Sequence, residues 1–153
     1  MAAIYRTRIV AASPREIWGV LADFGAIAEW AGSIDHSCLL NHGPCGGPVG
    51  TTRRVQVKRD VLVERITEFD AQRALGYDIE VLPRRVRRVS NRWTLAAAGD
   101  ATAVTLTSSV EIGSGATQRL TEHALCRVLA RQSDDMLAGL AHRLEDPGVR
   151  AGA

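Results

Sequence analysis

The chain has 153 residues, of which 46% are apolar and 24% charged, with a formal net charge of +2. That length suits one domain burying about two-thirds of its unfolded surface, and no run approaches the ~20 apolar residues of a membrane span. The small net charge gives no ground for a nucleic-acid partner, and the three cysteines (Cys38, Cys45, Cys126) form neither a CxxC pair nor an even disulfide set. Each is read as a buried, reduced thiol. The N-terminus lacks the apolar stretch and small-residue cleavage site of a signal peptide, so the expected compartment is the cytoplasm.

Residues 4–10 are rich in β-branched and aromatic types and read as a strand. Ser13-Pro14 signals a helix over 14–22, because a serine hydroxyl can cap free amides and proline is tolerated in the first turn. Asp23 is placed to cap a second short helix from Phe24 to Glu29, closed by Trp30. Period-two patterning then predicts strands at 35–40, 51–58, 61–69, 74–82, 86–96 and 101–112. Their short connections make neighbours antiparallel. The glycine- and proline-rich segment 41–50 is the longest break, and its glycines suggest a mobile gate at a cavity mouth.

Gly113-Ser114-Gly115 ends the strands, and residues 117–145 carry apolar side chains at three- and four-residue steps until Pro147-Gly148. The expected domain is therefore 1–147, with 148–153 as a flexible tail. A curved antiparallel sheet must cover its inner face, and the terminal helix is the element long enough to do so. The fold class expected is α+β, a seven-stranded sheet gripping one long helix, with two short helices after the first strand.

Four stretches sharpen this. Ile17-Trp18-Gly19-Val20-Leu21-Ala22-Asp23-Phe24 with Trp30, then Val49-Gly50-Thr51-Thr52-Arg53-Arg54-Val55, Val63 to Asp70, and Leu75-Gly76-Tyr77-Asp78-Ile79 resemble, in this order, the START-like (SRPBCC) superfamily. That group includes polyketide cyclase/dehydrase proteins and birch-pollen-type allergens. The resemblance implies a helix-grip fold with a cavity between sheet and helix, used for lipids, sterols, hormones or polyketide intermediates by proteins that bind, carry or catalyse. It also implies pocket groups at His36, Glu64, Thr107 and Ser109, with His36 standing where the hormone receptors carry lysine.

Side chains alternate across a strand, so one parity of each should face the cavity. The parity assigned inward is His36, Cys38 and Leu40; Arg53, Val55 and Val57; Leu62, Glu64 and Ile66; Tyr77, Ile79 and Val81; Val89, Asn91 and Trp93; Thr105, Thr107 and Ser109. From the helix come Leu125, Val128, Gln132 and Met136, and Trp30 joins them. If Glu64 meets His36, the two form a candidate catalytic acid/base pair for a carbonyl-containing ligand. If Glu64 instead meets Arg53, the two charges satisfy each other's burial, which is the ordinary condition of buried charge.

His123 and His142 fall on the terminal helix and read as solvent-facing. The run Arg84, Arg85, Arg87, Arg88 reads as a solvated edge, or else as a site for an acidic partner or an anionic head group. No HExxH, GxSxG or phosphate-binding glycine loop occurs, and no metal or cofactor is expected. The reading is a binding or carrier protein for a hydrophobic small molecule, with no nucleic acid, no stable membrane insertion, and a monomeric or homodimeric state. A cyclase or dehydratase is the alternative, and a ligand-controlled protein-interaction module comes last.

Overall fold

The computed structural model describes residues 2–82, 84–113 and 118–146, and for 118–120 the backbone alone. The expected tail at 148–153, the stop at Pro147-Gly148 and the Ser114-Gly115 terminator lie outside the described residues. Strands β1 (Ala2–Val10), β2 (His36–Asn41), β3 (Thr52–Val57), β4 (Asp60–Asp70), β5 (Ala74–Glu80), β6 (Val86–Ala98) and β7 (Ala101–Ile112) form one antiparallel sheet in the order β1-β7-β6-β5-β4-β3-β2. From β2 to β7 each strand pairs with the next in sequence, and β1 closes the far side against β7. Helices α1 (Pro14–Ala22) and α2 (Gln118–Glu145) lie on the inner face, together with a short 3-10 helix at Phe24–Glu29.

Helix α1 begins where the sequence says it should. Ser13 Oγ accepts from the Glu16 amide at 3.2 Å, and the Glu16 carboxylate accepts from the Ser13 amide at 3.0 Å, a reciprocal capping box. The second helix is a 3-10 segment, and the Asp23 side chain does not cap it. Between β3 and β4 the turn is Lys58-Arg59, one residue earlier than the sequence suggests, with Lys58 at φ +56.

The core joins both ends of the chain. Val10, Ile17, Leu21, Phe24, Ile27 and Trp30 pack with Tyr77, Trp93, Leu106, Met136, Leu137 and Leu140. Helix α2 lies over β1 and β7, where Arg6 reaches Asp134 at 3.2 Å. Gly139 lets it approach the 3-10 helix, since a Cβ at that position would stand 2.1 Å from the Trp30 carbonyl oxygen.

Two strands present the opposite face to the one expected. In β7, Thr102, Val104, Leu106, Ser108, Val110 and Ile112 are the buried set, and Thr105 bonds Thr7 across the outer face at 2.8 Å. Thr107 and Ser109 therefore belong to the outer face and do not line the interior. In β2, Ser37 and Leu39 pair with Val55 and Arg53 and share their face, while His36 and Cys38 pair with Gln56 and Arg54 on the outer face, and Leu40, expected inward, falls in a register shift between Leu39 and Asn41 and is exposed. Ser37 fixes this choice, because its hydroxyl donates to the Gly25 carbonyl at 2.7 Å and accepts from the Ala28 amide at 3.0 Å. A shift of one residue moves every side chain of a strand to the other face.

Other surface expectations also change. Cys38 and Cys45 are exposed and Cys126 is half-buried, all as free thiols. Arg84 and Arg85 lie in the connection before β6, and Arg87 and Arg88 at the start of that strand; β6 is an interior strand of the sheet, so the run protects no edge. Arg88 forks onto Asp78 at 3.0 and 3.1 Å, and Arg84, Arg85 and Arg87 are exposed.

Candidate functional site

Alternation on β3, β4 and β5 brings Arg53, Glu64 and Tyr77 to the inner face. Arg53 Nε donates to Glu64 Oε2 at 2.6 Å, and Nη1 donates to the Phe24 carbonyl at 2.8 Å. Its guanidinium lies 3.8 Å from the centre of the Phe24 ring and 4.7 Å from that of Tyr77. Arg53 is 2% exposed and Glu64 6%. The carboxylate is thus held in an ion pair whose cation is sandwiched by aromatic faces, which offsets the burial of both charges, while Arg53 Nη2 is buried without a hydrogen-bond partner. His36 stands on the other side of the sheet, so the expected Glu64–His36 pair does not form.

Around this pair the interior is closely packed. Trp93 Nε1 donates to the Tyr77 hydroxyl at 3.4 Å, and Trp30 meets Trp93 edge to face at 5.8 Å between centroids. Burial, and next the Glu64 charge, push the Tyr77 phenol above its ordinary range. Further along, Ser108 donates to Asn91 Oδ1 at 2.6 Å and lies 3.4 Å from Ser133 of α2, a polar link between sheet and helix. Val55, Tyr77, Trp93 and Met136 are core side chains, whereas Ile79 and Val89 are half-buried on the same face.

The interior opens at one end. A cleft of about 910 Å3 runs between α2 and the β3–β4 hairpin, with Val57, Leu62, Val128 and Gln132 among its walls and Ser33, Lys58, Arg131 and Asp135 at its edges. Ser33 Oγ is buried there without a hydrogen-bond partner. Of the expected helix residues, Gln132 faces this cleft, Val128 is 62% exposed at its rim, and Leu125 is half-buried. Ser33, Asp35, Val61, Arg131 and Asp135 are among the other lining residues and were not singled out in the sequence; they come from a loop, a hairpin and a helix, and share no motif.

The glycine-rich segment borders a different space. It turns on itself through the Gly46 amide bonded to the Gly43 carbonyl at 3.0 Å, is tied to β4 by the Gly50 amide bonded to the Ile66 carbonyl at 2.8 Å, and lies by a smaller cavity of about 420 Å3 with Phe24, Leu39 and Phe69. That cavity is at the opposite end of β3 from the cleft, so the segment is no gate to the larger opening.

A family model described as "Polyketide cyclase / dehydrase and lipid transport" matches residues 1–145. The chain belongs to this family. Among solved structures, the Zhui aromatase/cyclase from a Streptomyces species is 20% identical with a TM-score of 0.79, over 99% of this chain and 98% of that one. A START superfamily protein from Mycobacterium smegmatis is 18% identical with a TM-score of 0.71, over 94% and 97% of the two chains. Ara h 8.0201 is 13% identical with a TM-score of 0.72, over 94% and 97%. These likenesses show the helix-grip fold shared by the polyketide cyclase/dehydrase and lipid transport family. A search of the curated proteins finds no match.

Proposed function

We propose that this protein binds a small, largely apolar molecule in the cleft between α2 and the β3–β4 hairpin. The observation that carries the reading is the cleft itself: about 910 Å3, walled by Val57 and Leu62 with Val128 at its rim, and with Gln132 as a polar group on its helix side. Ligand sites are commonly apolar cavities of ~300–1,000 Å3 with a few polar groups that fix orientation. Binding is favoured over proton transfer at Glu64, because Arg53 occupies its carboxylate and His36 lies across the sheet.

Titration with Nile red, a neutral fluorophore that brightens in apolar surroundings, tests this. The native chain is expected to bind it saturably, and Leu62→Glu, which puts a charge on the cleft wall, to weaken binding at least about tenfold. Equal binding by the folded L62E variant would place the probe elsewhere and defeat the assignment.

A further inference from the structure

The exposed large apolar residues include Val61, 50% exposed, Val81, 88%, and Val128, 62%. All three line the rim of this one cleft, though they belong to the β3–β4 hairpin, the segment after β5, and α2. Val81 also adopts φ +58, a left-handed conformation that is an outlier for a β-branched residue. The backbone there is held in a costly state with its apolar side chain in water. Strain of this kind is concentrated at sites of function.

Charge gathers at the same end. The antiparallel order brings the β3–β4 turn, the β5–β6 connection and the end of β7 together, and the Gly113 amide bonds the Arg85 carbonyl at 3.1 Å. Lys58, Arg59, Arg84, Arg85, Arg87 and Arg131 are all exposed there, beside the exposed Asp35, Asp60 and Asp135 and the half-buried Glu80 and Glu111, of which Glu80 is paired with Arg65. The Asp35 carboxylate already accepts the Lys58 amide at 2.7 Å. Exposed basic side chains thus stand around an opening ringed with exposed valines.

We propose that this end of the molecule docks on an anionic lipid bilayer, with Val61, Val81 and Val128 entering the headgroup layer and the surrounding arginines contacting lipid phosphates. Apolar side chains projecting from a basic surface combine the two attractions that hold a protein at a bilayer surface. The attachment is peripheral, since no described helix is long and apolar enough to cross a membrane. It rests on the cleft being the ligand site, because docking would then open that site directly toward lipid.

Co-sedimentation with vesicles of phosphatidylcholine alone, or with about one-third phosphatidylglycerol, tests the docking. The native chain is expected to sediment with the anionic vesicles only, and to be released by salt. Each arginine lost should weaken partitioning about fivefold, so R84Q/R85Q/R87Q should lose about a hundredfold, while its Nile red binding stays that of the native chain. Val81→Ser should weaken sedimentation further when combined with the arginine changes.

Native protein that stays in the supernatant yet binds Nile red would overturn the docking and leave the ligand reading standing. Equal sedimentation of native and R84Q/R85Q/R87Q protein, or retention on polyglutamate or RNA but not on vesicles, would also overturn it. Loss of Nile red binding by native protein that still sediments would count against the ligand reading alone.

Discussion

Replacing Arg53 by Met tests whether the buried ion pair is a structural unit. The substitution leaves the Glu64 carboxylate, 6% exposed, without its cation, and removes the bond to the Phe24 carbonyl and the stacking at 3.8 Å. Stranding one member of a buried pair costs about 3–5 kcal/mol. At about 2–4 °C per kcal/mol for a chain of this size, the melting temperature should fall about 10 °C. The double variant R53M/E64L buries no charge and should recover most of the loss, short of about 1–3 kcal/mol for the unpaired Phe24 carbonyl. Urea denaturation of the two single variants and the double one gives the coupling between them, expected to be at least about 2 kcal/mol. Additive effects, with R53M costing under about 1 kcal/mol, would refute the pairing as the role of these residues and return Glu64 to the candidates for chemistry.

Gly139→Ala should destabilise by about 1–3 kcal/mol despite the better helix former, because its Cβ meets the Trp30 carbonyl oxygen at 2.1 Å. Gly19→Ala, in the same type of element but with nothing within 4 Å, should stabilise by about 0.5–1 kcal/mol, so thermal melts of the pair should move in opposite directions. In a Tyr5→Phe background Tyr77 is the one remaining tyrosine, and no phenolate absorbance should develop on raising the pH until the protein unfolds. Since burial raises its folded pKa, the stability linked to Tyr77 is complete below about pH 10 and declines above it, as the unfolded state gives up its proton first. His36→Ala and Thr107→Val alter the outer face and should leave Nile red affinity within about twofold of the native value.

The strands, their order and the terminal helix were legible because each rests on a local signal: alternation for the sheet, three- and four-residue steps for α2, and Ser13-Pro14 with Glu16 for α1. Faces were legible on β3, β4 and β6 from a few apolar positions two apart, Val55 and Val57, Leu62 and Ile66, and Val89 and Trp93, although each of these inner faces also carries a polar residue, Arg53, Glu64 or Asn91. On β7 Val104, Leu106, Val110 and Ile112 mark the inner face, and the hydroxyl groups at 105, 107 and 109, polar enough to orient a ligand, belong to the outer one. On β2 the residues His-Ser-Cys-Leu-Leu-Asn carry no alternation, and the face is set by Ser37 bonding the backbone of the 3-10 helix, a tertiary contact without a local trace. The partner of Glu64 followed from that same parity, so the histidine fell away and the arginine remained. The rim of the cleft, drawn from a loop, a hairpin turn and one face of α2, becomes a single site only when the sheet has curled around the helix.

If the cleft beside α2 holds an apolar molecule, the protein should carry one when isolated. Native mass spectrometry of the protein purified from its own source, followed by extraction of whatever it carries, tests this most directly. One small hydrophobic molecule per chain is expected, displaced by Nile red and lost in the L62E variant. An empty chain that also refuses a panel of neutral lipophilic probes would contradict it.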